Sequence, residues 1–433
     1  MPTGPETIDC ILRAPAALIN HHTLITDAAV AIQNTKIAAV GQWSAIPAAF
    51  AALPVTHLPG QILTPGLINA HTHLELGFLR GRMNRPMPFP DWVCQLFEFY
   101  PPPEQLVAVL GAAVAAGITE CVAAGVTAVG DITRCPEITR PVLAHAPLRG
   151  VSFGEITAMG KNRHLLESRL AAARKNWSDA GAPGGIALGL SPHAPYSVEG
   201  PALARIVQCA AAEGLPLAMH LAELPDEVAF LKEFSGPLGR NWALRRKLAT
   251  LDDQIPTCDL GPIAWARHWH LFDAPSVLLA HVNYANEADI SELAKHRGVS
   301  VVFCPRTRRY FGHHKIGPHR ADQMLAAGIN ICIGTDSLAS APDLNLLAEA
   351  ACAHEDFPHL SFATLFRMLT EFPAAALNLN AGCIAPGLEA DLAAFPLDFT
   401  PANAEAAAAQ LISHHRGASG VMIGSRPIFG TLS

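Results

Sequence analysis

The stretch Pro65-Gly66-Leu67-Ile68-Asn69-Ala70-His71-Thr72-His73 carries the strongest fold signal in the chain. It is a short apolar run that ends in a His-x-His pair, which is typical of a buried β-strand reaching its carboxyl end. Side chains two positions apart on a strand point the same way, so His71 and His73 can bind one metal ion. The alternative is a pair of polar residues in a loop after the strand, but the apolar run directly upstream favours a metal site.

Similar apolar runs recur downstream, and Ala/Leu-rich segments with a helical period lie between them. The runs are 66–70, 126–130, 186–190, 216–219, 277–280, 299–303 and 330–333, and the helix candidates are 104–116, 165–175, 201–213, 285–296 and 321–327. Alternation of buried strands with amphipathic helices predicts a parallel α/β sheet or barrel.

The two ends of the chain have a different character, with short strand-like segments. Residues 28–40 alternate loosely around a polar Gln-Asn-Thr turn, and turn-rich segments follow residue 376. We therefore predict an α/β protein with a distorted (β/α)8 TIM barrel over residues 65–375. Residues 1–64 and 376–433 are expected to combine into a small β-sandwich domain beside the barrel.

Composition narrows the class of protein. Of the 433 residues, 50% are hydrophobic and only 15% are charged, which indicates a large core and excludes a disordered chain. The formal charge of −7 is spread without basic runs, so neither nucleic acid nor a membrane surface is an expected partner. The 20 histidines are an excess of a common metal ligand, which favours a metalloenzyme without proving one.

Compartment is inferred from the cysteines and the N-terminus. The ten cysteines are scattered with no CxxC pair, as expected for reduced thiols. The first residues lack the basic start and apolar stretch of a signal peptide. The most apolar segment, 108–130, is rich in Ala and Gly and carries Glu120, unlike a membrane span. We expect a cytoplasmic protein.

Three further polar residues close apolar runs in the manner of His73. They are His220, His281 and Asp336, and Glu223 follows His220 by three positions. Each alone would more often be a hydrogen-bonded structural residue. If strand 1 holds residue 69 and strand 8 holds residue 333, each βα unit spans about 38 residues, which puts His220 near strand 5. His281 then lies near strand 6 if the long segment 224–275 contains an insertion. The polar residues would then share the carboxyl ends of the barrel strands, where barrel enzymes place catalysis.

The ligand types indicate which metal ion binds and whether the site holds one ion or two. Three neutral imidazoles and a carboxylate suit Zn²⁺ with a water completing the shell, although Fe²⁺ accepts the same ligands. A binuclear site would need a bridging anion such as a carbamylated lysine. The lysine of the middle-strand region, Lys161, lies in the loop-like segment Met-Gly-Lys-Asn-Arg. We therefore expect one divalent ion.

Taken together, these segments resemble the amidohydrolase superfamily, and within it the aminohydrolase branch of cytosine, guanine, methylthioadenosine/S-adenosylhomocysteine and aminofutalosine deaminases, to which triazine chlorohydrolases are close. The matching motifs are 65–73, 124–131, 191–197, 220–223, 279–283, Cys304-Pro305, 334–337 and 384–395. The resemblance implies that the metal ligands are His71, His73, His220 and Asp336. It also implies that Glu223 and His281 are catalytic and that His193 contacts substrate.

The resemblance further implies a hydrolytic mechanism in which the ion lowers the pKa of a bound water. Asp336 and His281 would orient that water and accept its proton. Glu223 would protonate a ring nitrogen of the substrate and later pass a proton to departing ammonia.

Substrate contacts are expected from residues near the strand ends. Arg306 stands where the deaminases commonly have a Cys-Pro-x-Ser-Asn-like element, and it could pair with a substrate carboxylate; a solvated basic loop is the alternative. Trp92 could stack on a planar base or pack in the core. Glu75 could hydrogen-bond substrate or form a loop salt bridge. Ser337, in the motif 334–337, is a further expected substrate contact. This combination looks most like an aminofutalosine deaminase, whose substrate carries a purine and a carboxylate.

Two other functions stay open. A triazine-type enzyme would release chloride or an alkylamine, whereas Glu223 favours a leaving group that needs a proton. An inactive barrel that binds or scaffolds is a hypothesis of another class, and the retained ligands and acid argue against it. In either enzymatic case the expected partner is a small heterocyclic molecule. The sequence leaves a homodimer open.

Overall fold

The computed structural model describes residues 7–83, 87–175, 185–245 and 257–432, and its strands form a terminal sheet and a barrel sheet. The terminal sheet contains β1 (Cys10–Asn20), β2 (Thr23–Gln33), β3 (Lys36–Gln42), β4 (Val55–His57), β5 (Gln61–Pro65), β14 (Leu392–Pro396), β15 (Gly420–Ile423) and β16 (Arg426–Gly430). The barrel sheet contains β6 (Leu67–Thr72), β7 (Val126–Thr133), β8 (Arg149–Ile156), β9 (Ile186–Pro192), β10 (Leu217–Leu221), β11 (Val277–His281), β12 (Val299–Phe303) and β13 (Asn330–Ile333).

The barrel strands are parallel and lie in sequence order from β6 to β13. The two edges of the sheet meet beyond β13, where the Asp336 amide donates to the His71 carbonyl over 3.0 Å. Among the described residues this is an almost closed eight-stranded barrel, which confirms the predicted fold class.

Helices alternate with the strands and cover the outside of the barrel. The described helices are α1 (Phe89–Phe99), α2 (Leu106–Ala123), α3 (Pro136–Ala144), α4 (Leu166–Arg174), α5 (Gly200–Glu213), α6 (Glu227–Glu233), α7 (Gly236–Arg245), α8 (Pro262–His268), α9 (Glu287–Leu293), α10 (Pro305–Tyr310), α11 (Ala321–Ala326), α12 (Leu346–Asp356), α13 (Phe362–Arg367), α14 (Glu371–Ala376) and α15 (Ala404–His414). Most helices in βα units are short, so the strand ends and their loops dominate one face of the barrel.

One barrel strand, β8, has no counterpart among the predicted apolar runs. Its sequence, Arg-Gly-Val-Ser-Phe-Gly-Glu-Ile, mixes small and polar residues and gives no continuous apolar signal. The glycines are needed by close packing: Gly150 has φ of +130°, and a Cβ there would lie 1.8 Å from the Val129 carbonyl oxygen. Tertiary packing, rather than local propensity, makes this segment a strand.

The terminal sheet joins the two ends of the chain directly. Strand β14 pairs antiparallel with β5, and the sheet runs in the order β16-β15-β14-β5-β1-β2-β3, with β4 also on β1. The predicted turn between β2 and β3 is present, with Asn34 and Thr35 both at positive φ (50° and 69°), as a tight hairpin requires. The expected sandwich thus takes the form of one continuous hydrogen-bonded sheet with an apolar cluster on its face.

The apolar stretch 108–130 contains most of helix α2 and the first residues of strand β7. By length and composition alone the segment Pro103–Ala123 could cross a membrane, with mean hydropathy 2.1. Its buried residues include Leu110 and Val114, which have no exposed surface, and Val114 and Ile118 belong to the main apolar cluster. This packing is that of a covering helix in an α/β barrel.

Candidate active site

Three histidines converge at the carboxyl ends of two barrel strands. His71 and His73 come from the end of β6, and His220 comes from β10. One ring nitrogen from each lies within 4.8 Å of the other two, and the Nε2 atoms of His73 and His220 are 3.2 Å apart. All three are buried, and His71 is only 1% exposed.

Asp336 adds a carboxylate to this cluster. Its Oδ1 lies 3.8 Å from His71 Nε2 and 3.7 Å from His73 Nε2. The Ser337 amide donates to Oδ1 over 2.8 Å, and the Ser340 hydroxyl donates to Oδ2 over 3.1 Å. These two bonds fix the carboxylate so that it faces the imidazoles.

The cluster has the chemistry of a divalent metal site. Both ring nitrogens of His71 are buried without a hydrogen-bond partner among the described residues, an arrangement that costs free energy unless a ligand binds there. Burial lowers the pKa of His71 and His73 well below the usual range and that of His220 to about 3, so all three imidazoles are neutral. Tetrahedral ligands about 2.0–2.1 Å from zinc lie about 3.4 Å apart, close to the His73–His220 separation. The residues present therefore fit one such ion.

The orientation of His220 is set by the strand beside it. Its Nδ1 lies 3.0 Å from the His193 carbonyl oxygen, which leaves Nε2 as the atom that faces the cluster. A backbone acceptor on the second ring nitrogen is the usual support of a metal-binding histidine.

A buried acid lies beside the cluster. Glu223 is 4% exposed, and its Oε1 lies 3.6 Å from His281 Nε2. The Tyr196 hydroxyl donates to Oε2 over 2.7 Å. Burial raises the pKa of Glu223 well above its usual range, so that this carboxyl can hold a proton at neutral pH. The arrangement can deliver a proton to a molecule bound next to the histidines.

The backbone is strained where these side chains leave the strands. Ala222, His281, Val282 and Asp336 all adopt positive φ, at 50°, 73°, 49° and 57°. A β-branched residue such as Val282 rarely takes this conformation. Strain of this kind is held by the surrounding structure and tends to mark functional sites.

A cavity of about 610 Å³ opens over the histidine cluster. One wall is aromatic: Phe89, Trp92 and Phe311 have ring centroids 5.3–5.7 Å apart. The opposite part is polar, with Glu155 beside Arg134 (Oε1 to Nε, 3.3 Å) and with Arg169 nearby on the lining. A planar group could lie against the aromatic wall while a charged group reaches the guanidinium groups.

A model described as the amidohydrolase family matches residues 62–428 of this chain. The chain belongs to the amidohydrolase family. This confirms the resemblance drawn from the sequence motifs.

Individual relatives narrow the comparison. The amidohydrolase is 31% identical to an aminodeoxyfutalosine deaminase of Deinococcus radiodurans, over 71% of each chain. It is 30% identical to a 5-methylthioadenosine/S-adenosylhomocysteine deaminase of Nitratidesulfovibrio vulgaris, over 91% of this chain and 85% of the relative.

Solved structures agree on the fold. The Helicobacter pylori aminofutalosine deaminase in complex with methylthio-coformycin superposes with a TM-score of 0.83 at 21% identity, over 97% of this chain and 100% of the other. The atrazine chlorohydrolase of Arthrobacter aurescens complexed with zinc gives 0.77 at 19% identity, over 98% and 96%.

The structure brings most of the predicted site residues of the amidohydrolase together. Five of them line the cavity, namely His73, His220, Glu223, His281 and Asp336, and His71 adjoins them in the histidine cluster. Of the predicted substrate contacts, His193, Trp92 and Ser337 line the cavity. Trp92 also donates through Nε1 to the Ala339 carbonyl oxygen over 3.3 Å, so it both packs and faces the ligand space.

Arg306 is placed elsewhere, and the expectation that it contacts substrate is corrected. It is absent from the described residues that line the cavity. Its guanidinium donates to Glu349 Oε1 over 2.6 Å and to Asp343 Oδ1 over 2.8 Å. Arg306 is the second residue of α10, and its side chain is directed toward α12. It therefore links these two helices and does not reach the cavity.

Glu75 is also corrected. It has no exposed surface and lies outside the described cavity lining. Its carboxylate accepts from the Thr133 hydroxyl (2.8 Å) and from the amides of Arg134 (2.9 Å) and Cys135 (3.3 Å). Glu75 therefore holds the loop after β7, which carries Arg134, through hydrogen bonds to its hydroxyl and amide groups.

Sequence reasoning missed several polar residues of the cavity, among them Arg134, Glu155, Arg169 and Tyr196. Arg134 follows the end of β7, and Glu155 lies near the end of β8, so the strand-end rule could have found both once β8 was recognised. Tyr196 stands inside the quoted 191–197 motif. Arg169 lies on α4 and gives no local signal.

Proposed function

We propose that this amidohydrolase is a hydrolytic deaminase that uses one divalent metal ion, Zn²⁺ in the first instance, with Fe²⁺ as the alternative. The observation that carries the proposal is the position of Glu223: a buried acid, hydrogen-bonded to Tyr196, directly beside a metal-type histidine cluster. The ligands would be His71, His73, His220 and Asp336. A bound ion would supply a water of lowered pKa at neutral pH.

The remaining chemistry belongs to the side chains. Asp336 and His281 would orient the attacking water and accept one of its protons. Glu223 would give its proton to a ring nitrogen as the C–O bond forms at the amino-bearing carbon. It would then carry the second water proton to the amine, the C–N bond would break, and ammonia would leave. The proton held by Asp336 returns Glu223 to its acid form, so one water and one amine give one carbonyl and one ammonia.

The cavity supports an amino-substituted purine-like heterocycle as substrate. Phe89, Trp92 and Phe311 offer a face for a planar ring. The cavity lining carries the guanidinium groups of Arg134 and Arg169 as well as the acids Glu98 and Glu155, and a guanidinium group there can pair with an anionic group of the substrate. An aminofutalosine-like molecule combines these features, and the Deinococcus relative carries a corresponding name.

Ammonia release from adenosine-type, guanine-type and pyrimidine amines tests the reaction. Glu223→Gln should keep the metal and lose about 10²–10⁴-fold in kcat, because it removes the proton donor but not a ligand. Glu233→Gln, an exposed acid on α6, is the matched control. A Glu223→Gln variant with a wild-type rate would overturn the role of this residue.

The alternatives give different results in the same experiments. Chloride release from chlorotriazines, with no ammonia from the amine panel, would identify a triazine-type hydrolase. Less than about half an equivalent of metal per chain after metal-replete purification would favour a scaffold, because a ligand set that does not bind an ion supplies no Lewis acid.

We also propose a reducing, cytoplasmic compartment. The ten cysteines are scattered along the chain with no CxxC pair, which is the pattern of thiols in a reducing compartment rather than of a disulfide framework.

A further inference from the structure

The side chain of Glu223 has a hydrogen-bond partner that belongs to a different strand loop. Tyr196 lies in the loop after β9, whereas Glu223 follows β10. The tyrosine oxygen is 2.7 Å from Glu223 Oε2, and both residues are 4% exposed. The bond therefore lies in a buried environment, where a hydrogen bond to a carboxyl group is strong and sets its orientation.

The direction of this bond distinguishes the two carboxyl oxygens. Burial raises the pKa of the Tyr196 hydroxyl well above its usual range, so the phenol keeps its hydrogen and acts as the donor. Oε2 is then occupied as an acceptor. The acid proton of Glu223 is favoured on the other oxygen, Oε1, which is the one 3.6 Å from His281 Nε2.

The backbone of Glu223 is fixed independently of Tyr196. Its amide donates to Glu227 Oε1 over 2.6 Å, and its carbonyl oxygen accepts from Asn283 Nδ2 over 3.1 Å. Within the described structure, His281 Nε2 lies 3.6 Å from Glu223 Oε1, beyond hydrogen-bond distance, so the Tyr196 hydroxyl provides the hydrogen bond that holds the carboxyl group on this fixed backbone.

We propose that Tyr196 is a positioning residue, whose hydroxyl holds Glu223 so that Oε1 delivers the proton to the substrate. This inference rests on the proposed deaminase function. Glu223 Oε1 loses its proton to the ring nitrogen as water adds, and the same oxygen then carries the second water proton to the departing amine. Without the Tyr196 bond the carboxyl group can rotate, and the proton is on the wrong oxygen in part of the population.

Comparing two leaving groups, ammonia and chloride, distinguishes a positioning role of Tyr196 from a merely structural one. An amine must be protonated before it leaves, so it uses Glu223 twice, whereas chloride leaves without a proton and uses Glu223 only for the ring nitrogen. Loss of orientation should therefore slow ammonia release more than chloride release from the same heterocycle. A general loss of folding or of metal would slow both equally.

Tyr196→Phe is the appropriate variant, because it keeps the ring and its packing against Phe89 and His193 (centroids 5.9 and 5.7 Å) and removes only the hydroxyl. Tyr284→Phe is the matched control, since its hydroxyl bonds His313 Nδ1 (2.8 Å) and not Glu223. Both variants are compared with wild type at equal metal content, on 6-amino- and 6-chloropurine nucleosides.

We expect Tyr196→Phe to lower kcat for ammonia release by roughly tenfold or more, as for a lost hydrogen bond to a charged or acidic group, with KM within about threefold. The ratio of the ammonia rate to the chloride rate should fall at least about threefold, and Tyr284→Phe should leave it unchanged. Equal losses with both substrates, or no loss, would overturn the proposal.

A second measurement does not depend on turnover. Crystal structures of the two metal-loaded proteins should show one Glu223 conformer in wild type and more than one in Tyr196→Phe. A single, unchanged conformer in the variant would refute the positioning role even if no ammonia is released by wild type. Absence of ammonia from wild type, by contrast, counts against the proposed function alone.

Discussion

Glu227 is expected to be the main support of the turn that carries Glu223. It has no exposed surface, and its carboxylate accepts from the amides of Ala222 (3.0 Å), Glu223 (2.6 Å) and Leu224 (3.0 Å). Ala222 has φ of 50°, a conformation that costs an alanine about 1–2 kcal/mol and must be held in place. A single carboxylate on three successive amides can do so.

The change Glu227→Gln keeps the size of the side chain but leaves one acceptor oxygen in place of two. The oxygen can retain the bonds of the Glu223 and Leu224 amides, while the Ala222 amide faces an NH2 group. Burial raises the pKa of Glu227 to about 7, so the comparison is made above that pH, where the carboxylate is charged. A hydrogen bond to a charged group contributes about 1.5–3 kcal/mol, so the free energy of unfolding should fall by about that amount. The turn should also shift, and kcat should fall by about 10–100-fold, because small misplacements of an acid are costly.

Urea unfolding, metal content and kcat for ammonia release together test this reasoning. Glu233→Gln lies on the same helix and is exposed, so it controls for the loss of one negative charge. The metal should stay bound in both variants, because neither residue is a proposed ligand and His220 is held within strand β10, before the turn that Glu227 supports. A Glu227→Gln protein with the free energy of unfolding within about 0.5 kcal/mol of wild type, and kcat within twofold, would refute the supporting role.

Two further predictions concern the acid and a corrected residue. Burial raises the pKa of Glu223 well above its usual range, so kcat should be sustained at neutral pH. It should fall as pH rises through that pKa, because the carboxyl group then loses the proton that it donates. A pH–rate profile that is flat into the alkaline range would contradict this. Arg306→Met should lower the free energy of unfolding by about 1–3 kcal/mol, because the buried Glu349, whose pKa burial raises to about 7, loses its guanidinium partner and keeps only the bond from the amide of residue 306. KM for an anionic substrate should not change; a tenfold rise in KM at unchanged stability would return Arg306 to the binding site.

The barrel could be predicted from sequence because most of its strands are continuous apolar runs. Seven runs coincide with strands, and two of them, 299–303 and 330–333, have the observed bounds of β12 and β13. Strand β8 could not be found in this way, because its glycines and polar residues interrupt the apolar run. The glycine at 150 is required by close contact with the neighbouring strand β7. The approach of Gly150 to Val129 is a tertiary contact that no local pattern contains.

The site was predictable to the same extent, and for a related reason. A residue at the end of a parallel strand must lie at one edge of the barrel, so His220, His281 and Asp336 could be placed from their neighbours alone. Arg306 also follows a strand, yet it begins a helix, and its direction depends on a buried acid 43 residues away. Glu75 likewise finds its partners on the loop after β7. Position along the chain predicts which end of the barrel a residue occupies, but not which neighbour its side chain binds.

The hydrogen bonds that orient the site residues depend on neighbouring loops rather than on position along the chain. His220 is oriented by the His193 carbonyl, Glu223 by Tyr196, and the turn of Glu223 by Asn283. Each of these three supports comes from a strand loop adjacent to the one it holds, because parallel strands place successive loops side by side at the same end of the barrel; Glu227, in contrast, lies on the helix that follows the same turn. The short motifs supply the reacting groups, and the closure of the barrel supplies their orientation. A substitution in one loop is therefore expected to change the chemistry of a residue in the next, which is why hydroxyl and amide variants that leave the reacting groups intact are the sharpest probes of this site.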